Sequence, residues 1–247
     1  MKKLKEKVLN KLDFTKKTIV LTGYSKGIGL ETANHLVSLG AKLILIGRKN
    51  TNITNSHLYK CDLSNSVKLE KILSKIKKKY KKIDGVVHCA GVNFIRKIDK
   101  ISLQEWNNVY SVNLTSSFLI IKHLKNNLKK SKEASIVLVS SIAGHRKSVV
   151  SGAHYVSSKA ALIGLVRQLS QDLGREKIRI NALSPSQTFT QMLKNSMNQK
   201  QINSLSKQIP LNRLANTEEQ SYNIIFLLSS LSSYINGISL NSDGGQI

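Results

Sequence analysis

Short, continuously apolar runs alternate with longer amphipathic ones from residue 18 to residue 240. Apolar, β-branched runs closed by glycine or polar residues predict buried strands, and apolar residues three and four apart predict helices. On this pattern strands fall at Thr18–Leu21, Lys42–Ile46, His57–Cys61, Gly85–Cys89, Ser135–Val139, Lys177–Leu183 and Gly237–Leu240. Helices fall at Ile28–Leu39, closed by Gly40, at Ser64–Tyr80, at Ala153–Leu173, closed by Gly174, and at Thr217–Leu228 with Thr217 as N-cap. Residues 102–130 predict one or two helices containing Asn113.

Repeated β-α units with strands apolar throughout predict a parallel sheet covered on both faces. The fold class is therefore α/β, a single doubly wound domain of seven strands over residues 17–247. Residues 1–16 form a basic extension. Leu4, Val8, Leu9 and Leu12 stand there at helical spacing, and the expectation is a helix that caps the domain. The loop from Lys49 to Ser56 is polar and too short for a helix. Residues 184–216 are the longest stretch without clear periodicity, with weak helical character over 190–206. They follow a strand's carboxyl end, where ligands of such sheets bind, so a substrate lid is expected at about residues 186–215.

A chain of 247 residues with 40% apolar composition builds one large core. Two cysteines, Cys61 and Cys89, are too few for a disulfide framework and lie in apolar runs. They read as buried thiols in a reducing, cytoplasmic setting. No apolar run approaches the ~20 residues that cross a bilayer. Met1 to Lys7 carries charge but no apolar segment of a secretory signal, so no membrane association is expected. The formal charge of +25 invites a nucleic-acid reading. Only seven of the 39 basic residues are arginine, however, and recognition of base edges leans on arginine's planar fork. Lysines spread along the whole chain, and abundant asparagine and isoleucine beside two prolines, reflect a biased composition. No nucleic-acid partner is expected, although the charge suits an acidic carrier or a phosphorylated substrate.

The candidate chemistry begins at Thr22-Gly23-Tyr24-Ser25-Lys26-Gly27-Ile28-Gly29, between the first strand and its helix. Glycines there let a phosphate approach the helix N-terminus, where free N–H groups and the macrodipole favour anions. The second strand ends Ile46-Gly47-Arg48-Lys49, and no Asp or Glu occurs between Lys42 and Ser56. An NAD site places an acid there for the ribose 2′-hydroxyl. Arg48, helped by Lys26, instead fits a 2′-phosphate, so NADP is favoured over NAD. Tyr155 and Lys159 stand four residues apart on one helix face, downstream of Ser140-Ser141. Carbonyl reduction needs a proton at the oxygen while hydride reaches the carbon. A lysine charge ~5 Å from the phenol, at an effective dielectric of ~20, is worth ~3 kcal/mol and lowers a tyrosine pKa by roughly two units.

With these residues in view, the chain resembles the classical short-chain dehydrogenase/reductases (SDRs) from about Lys17 to Ile247. Within them it is most similar to the 3-oxoacyl-[acyl-carrier-protein] reductases and their sugar- and alcohol-dehydrogenase relatives. The matching elements are the glycine turn, Asp62-Leu63, Ala90-Gly91, Val112-Asn113, Ser140-Ser141, Tyr155 with Lys159, Asn181-Ala182 through Pro185, and Asp243-Gly244-Gly245. The resemblance implies a Rossmann fold and an NADP-dependent exchange between a ketone and a secondary alcohol. It implies Asn113, Ser141, Tyr155 and Lys159 as catalytic residues, with Asn113 holding a water. It implies cofactor binding by Gly23, Ser25, Lys26, Gly27, Ile28, Gly29, Arg48, Asp62, Leu63, Ala90, Gly91, Tyr155, Lys159, Pro185, Thr188 and Thr190, and no metal. A homotetramer built through the helices of Asn113 and Tyr155 is implied as well.

Some positions depart from the family pattern. His88-Cys89 replaces Asn-Asn, which is expected to cost the fourth strand side-chain hydrogen bonds, and His88 itself is expected to be a buried, hydrogen-bonded histidine rather than a catalytic or metal-binding one. Ser186 replaces a glycine after Pro185. Tyr24 in the phosphate turn is expected to pack over the cofactor or face solvent, and His145, Arg146 and His154 to be flexible surface residues ahead of the alternative that they contact substrate. The leading expectation is a 3-oxoacyl reductase acting on a carrier-bound substrate. Its rivals are a sugar, polyol or nucleotide-sugar dehydrogenase and a non-catalytic cofactor-sensing or nucleic-acid-binding protein. The complete Ser/Tyr/Lys/Asn set argues against the last.

Overall fold

The computed structural model describes residues 2–190, 193 and 198–247. Seven strands form one sheet: β1 (Thr18–Thr22), β2 (Lys42–Gly47), β3 (Ser56–Lys60), β4 (Gly85–His88), β5 (Ala134–Val139), β6 (Ile178–Pro185) and β7 (Ser239–Ser242). Their order is β3-β2-β1-β4-β5-β6-β7 and every pairing is parallel. The seven-stranded parallel sheet is as expected, with strand ends displaced by one or two residues.

The helices are α1 (Lys2–Asn10), α2 (Gly27–Ser38), α3 (Ser66–Lys79), α4 (Leu103–Tyr110), α5 (Ser116–Leu128), α6 (Ala153–Gly174), α7 (Gln199–Ser206) and α8 (Thr217–Leu228). Strand side chains alternate between faces. Val20, Ile44, Val86, Ile136 and Ile180 therefore enter one core, with Leu73 of α3, Leu124 of α5 and Leu162 of α6. Ile19, Leu21, Leu43, Val87 and Val137 enter the other, with Leu36 of α2 and Leu227 of α8. The inner strands β1, β2, β4, β5 and β6 feed both cores, which is why they are mostly apolar, whereas the edge strands β3 and β7 bury no residue fully and read as mixed.

Several local expectations are corrected. Asn216, not Thr217, caps α8: its side chain accepts from the Glu219 N–H, and the Glu219 carboxylate accepts from the Asn216 N–H at 2.9 Å. Gly174 is the last residue of α6, and the left-handed turn falls on Lys177 at φ 61°. Within the expectation of one or two helices, residues 102–130 form α4 and α5, joined by a π turn at Ser111–Thr115 that carries Asn113. Leu4, Val8 and Leu9 of α1 are exposed, so this helix does not cap the domain. Phe14, buried and bonded through its N–H to the Leu39 carbonyl, anchors the chain instead.

The weakly helical stretch at 190–206 lies partly outside the described residues. Within them, α7 buries Ile202 and Leu205, and a bridge between Thr188 and Ala215 ties the two ends of the segment together. Among the described residues no helix is long and apolar enough to cross a membrane.

Candidate active site

The strand order reverses between β1 and β4, and chains leaving these strands part to opposite faces, opening a crevice at their carboxyl ends. Gly23 directly follows β1 at φ 74°. A Cβ on it would stand 2.5 Å from the Ala90 nitrogen and 2.6 Å from the Cys89 carbonyl carbon, so only glycine lets the two strand ends meet. Lys26 precedes α2 in extended conformation and offers no side-chain cap. The first-turn N–H groups of α2 are thus left for a ligand, and an anion suits them.

A cavity of about 720 Å³ occupies the crevice. Gly23, Ser25, Lys26, Gly27, Ile28 and Gly29 line it, as do Arg48, Asp62 and Leu63 beyond β2 and β3. Ala90 and Gly91 follow β4, and Pro185, Thr188 and Thr190 follow β6. Ser141, Tyr155 and Lys159 complete the wall. Asn113 does not line it. Its Oδ1 accepts from the Val92 N–H (2.8 Å), and its Nδ2 donates to the Val92 carbonyl (3.1 Å) and Ser158 Oγ (3.0 Å). Both amide hydrogens are spent on holding the wall after Gly91 against α6, so the side chain has no donor left for the expected water.

Asp62 Oδ1 accepts from the Ser64 N–H (3.0 Å) and hydroxyl (2.8 Å). The Ser64 N–H, with lesser help from its hydroxyl and Arg48, holds the carboxyl below its usual pKa against the opposing cost of burial. Asp62 Oδ2 faces Arg48 Nη1 at 3.4 Å. The Arg48 side chain is 72% exposed, so this pair is a loose tether rather than a fixed bridge.

The two serines after β5 separate in role. Ser140 Oγ is buried and donates to the Lys159 carbonyl at 2.8 Å, stitching the strand to α6. Ser141 Oγ accepts from the Ala143 N–H at 3.1 Å and faces the cavity. One turn of α6 separates Tyr155 from Lys159, whose Nζ lies 5.6 Å from the phenol ring centroid and donates to the Val139 carbonyl at 2.7 Å. Burial brings the Lys159 pKa down to about 8, with Cys89 opposing. Burial also raises the Tyr155 pKa above its ordinary value, while the Ser141 hydroxyl pulls it down. The expected lowering by Lys159 does not appear in the protein's own groups. The ammonium is turned toward a backbone carbonyl, and the loss of water around the phenol outweighs its charge.

The departures from the family pattern have definite partners. His88 Nδ1 lies 2.9 Å from Thr22 Oγ1 and Nε2 3.2 Å from the Val112 carbonyl. A carbonyl only accepts, so Nε2 carries the proton and Nδ1 accepts from the threonine hydroxyl. Thr22 Oγ1 in turn accepts from the Ala90 N–H at 3.3 Å. Burial pushes the His88 pKa down to about 3, so the ring is neutral. The expected loss of side-chain bonds at β4 therefore does not occur: the imidazole ties β1 to the π turn of Asn113. Among the described residues no cluster of three metal-ligating side chains exists.

His154 is fully buried rather than on the surface. It accepts at Nδ1 from the Tyr155 N–H (3.0 Å) and donates from Nε2 to Glu105 (3.1 Å). It thereby fixes the first turn of α6 next to the phenol, a role whose long-range partner left no local signal. His145 bonds Ser184 (3.2 Å) and Ser239 (3.0 Å), and Arg146 donates to the Gln246 carbonyl at 3.0 Å. Tyr24 is 1% exposed, lying under the turn and not facing solvent. Ser186 donates its N–H to the Ser242 carbonyl, joining the segment after β6 to β7.

A family model described as Enoyl-(Acyl carrier protein) reductase matches residues 23–246. The 3-oxoacyl-[acyl-carrier-protein] reductase of Rickettsia typhi is 30% identical over 248 residues, covering 96% of this chain and 99% of the relative. A short-chain dehydrogenase/reductase of Botryotinia fuckeliana is 34% identical over 254 residues, covering 94% and 97%. The ligand-free structure of Thermoplasma acidophilum aldohexose dehydrogenase matches with a TM-score of 0.87 at 28% identity, over 94% of each chain.

Proposed function

The chain belongs to the short-chain dehydrogenase/reductase family and is an oxidoreductase working between CH–OH and C=O groups; from that premise we propose that it reduces 3-oxoacyl groups borne on a carrier protein, using NADPH. One observation carries the reading. Tyr155, Lys159 and Ser141 share a cavity with the uncapped N-terminus of α2. An acid and an anion cradle then serve one bound pair of reactants.

The residues present fit a nicotinamide dinucleotide phosphate. The free N–H groups of α2 suit its pyrophosphate, and Arg48 with Lys26 suits a 2′-phosphate where no acid stands between Lys42 and Ser56. Asp62 and Leu63 suit the adenine, Ala90 and Gly91 the ribose, and Pro185, Thr188 and Thr190 the carboxamide. When bound, this group supplies the hydride. Tyr155 delivers the proton to the substrate oxygen, and Ser141 Oγ donates a hydrogen bond to the same oxygen. Lys159 sits where its ammonium stabilises the phenolate left behind, and a positive charge close to the phenol would offset the effect of burial. Asn113 positions the wall between Gly91 and α6.

The carrier-bound substrate is favoured by the name of the Rickettsia relative and by charge. Arg146 and Lys147 line the wall near Ser141, and Asp62, paired to Arg48, is the one acid lining the cavity among the described residues. Such a mouth suits a thioester on a phosphate-bearing arm. The segment at 186–215 acts as the lid. A homotetramer through α5 and α6 fits the half-exposed Phe118, and the free thiols fit the cytoplasm. A second reading, a sugar dehydrogenase, is favoured by the likeness to aldohexose dehydrogenase. Initial rates with an acetoacetyl thioester and with a hexose panel, each with both nicotinamide cofactors, decide between them. The proposal expects thioester turnover with NADPH, and turnover of hexoses alone would replace it.

A further inference from the structure

Tyr24 is spent on something other than filling space. Its phenol passes over Gly47, the last residue of β2, and its hydroxyl donates to the Lys49 carbonyl at 2.5 Å. A Cβ on Gly47 would lie 2.8 Å from the Tyr24 ring and 3.2 Å from its oxygen. The backbone of residues 47–49 is therefore wrapped around the phenol, and glycine at 47 is what admits it. The ring is anchored among buried residues of the core beneath α2, such as Leu21, Ala33 and Leu45, so its hydroxyl is a fixed point. Arg48 is the residue between the two contacts. Its side chain is largely in water, and among the described residues only the 3.4 Å contact with Asp62 holds it.

We propose that Tyr24 is the positioning residue for cofactor discrimination: it bends Gly47-Arg48-Lys49 so that the Arg48 guanidinium is presented to a 2′-phosphate. This rests on the NADP reading above. A long exposed side chain binds an anion well only if its root is fixed, since otherwise each productive geometry costs the entropy of main chain and side chain together. Tyr24 also follows Gly23 directly, so one residue joins the phosphate turn to the segment that reads the ribose. Its effect passes through Arg48 and not through any contact with the chemistry.

The test compares binding of adenosine 2′,5′-bisphosphate and 5′-AMP, which differ by the 2′-phosphate alone, to wild type, Tyr24→Phe, Arg48→Ala and the double variant. Tyr24→Phe keeps the ring and removes the hydroxyl. It is expected to weaken the bisphosphate about five- to tenfold, in line with one lost hydrogen bond, and to leave 5′-AMP within about twofold. In the Arg48→Ala background the same change is expected to have no further effect on the bisphosphate. Gly47→Ala, which drives a methyl against the phenol, should reproduce the loss. It provides a second route if Tyr24→Phe does not fold. Equal weakening of both ligands, or additive losses in the double variant, would overturn the proposal and leave Tyr24 a packing residue. A wild type that binds both ligands equally would instead remove the NADP reading, and the discriminating role with it.

Discussion

On the side of the cavity built by β1, β2 and α2, the groups that meet a ligand are largely main chain. They are the N–H groups at Gly27 to Gly29, the touching strand ends at Gly23 and Ala90, and a segment bent around Tyr24. On the side built by residues 145–151 and by the described residues that follow β6, they are side chains such as Arg146, Lys147 and Gln187. Main-chain geometry tolerates few sequences, whereas a loop can exchange side chains without disturbing the sheet. The first side therefore announces a dinucleotide cradle. The second, where such exchange is free, does not disclose a substrate. Tyr155 and Lys159 stand at the border, on a helix that both sides share.

The comparison can be broken at several strengths. The largest effect is expected at the border: Tyr155→Phe should lower kcat by about a thousandfold, the middle of the range for a lost acid, while cofactor affinity in a fluorescence titration changes little. A comparable loss of binding would mean that the phenol belongs to the cradle and not to the chemistry.

Next comes the joint between β1 and the π turn. His88→Ala takes the acceptor from the buried Thr22 hydroxyl and opens a void beside it, while the Val112 carbonyl keeps its bond from Ser116 Oγ, and should cost about 3 kcal/mol of stability in urea melts. The sign of its pH dependence follows from the pKa. An unfolded histidine takes up a proton below 6.5, while the folded ring stays neutral to about 3. Its contribution is therefore complete above 6.5 and is lost as pH falls toward 3, at about 1.4 kcal/mol per unit. His88→Asn should flatten that part of the stability curve relative to wild type. An unchanged slope would show that other groups set it.

A smaller effect is expected on the cradle side, where Arg48→Ala should weaken NADPH by about ten- to a hundredfold and NADH hardly at all. The smallest is on the loop side. Arg146→Ala should raise KM about threefold for acetoacetyl-coenzyme A and leave the uncharged N-acetylcysteamine thioester unchanged. Equal effects on both thioesters would remove the anionic arm from the account.

What could be read from the chain follows the same division. The inner strands are legible because each feeds two cores and cannot alternate. The glycine turn was legible because close strand ends admit no Cβ, and Tyr155 with Lys159 because four residues make one helix face. His88 is legible as a buried, hydrogen-bonded histidine, but its partners Thr22 and Val112 are not, and neither are Lys49 for Tyr24 or Glu105 for His154, because these are set by the fold and not by spacing along the chain. The tyrosine pKa was misjudged for a related reason. Sequence shows that a lysine is near, but not that its ammonium is aimed at Val139 or that burial is the larger effect. The cap of α8 went to Asn216 because the reciprocal bond with Glu219 is available only from that position.

The central claim is that this one cavity passes a hydride to a carbonyl carbon while the protein protonates the oxygen. Incubating the protein with reduced nicotinamide dinucleotide phosphate deuterated at its reactive carbon, together with an acetoacetyl thioester and, separately, a keto-sugar, tests it directly. The account predicts deuterium bound to the new alcohol carbon of a product of one configuration, seen by mass spectrometry and NMR. Deuterium that stays on the nicotinamide with every ketone offered would contradict it.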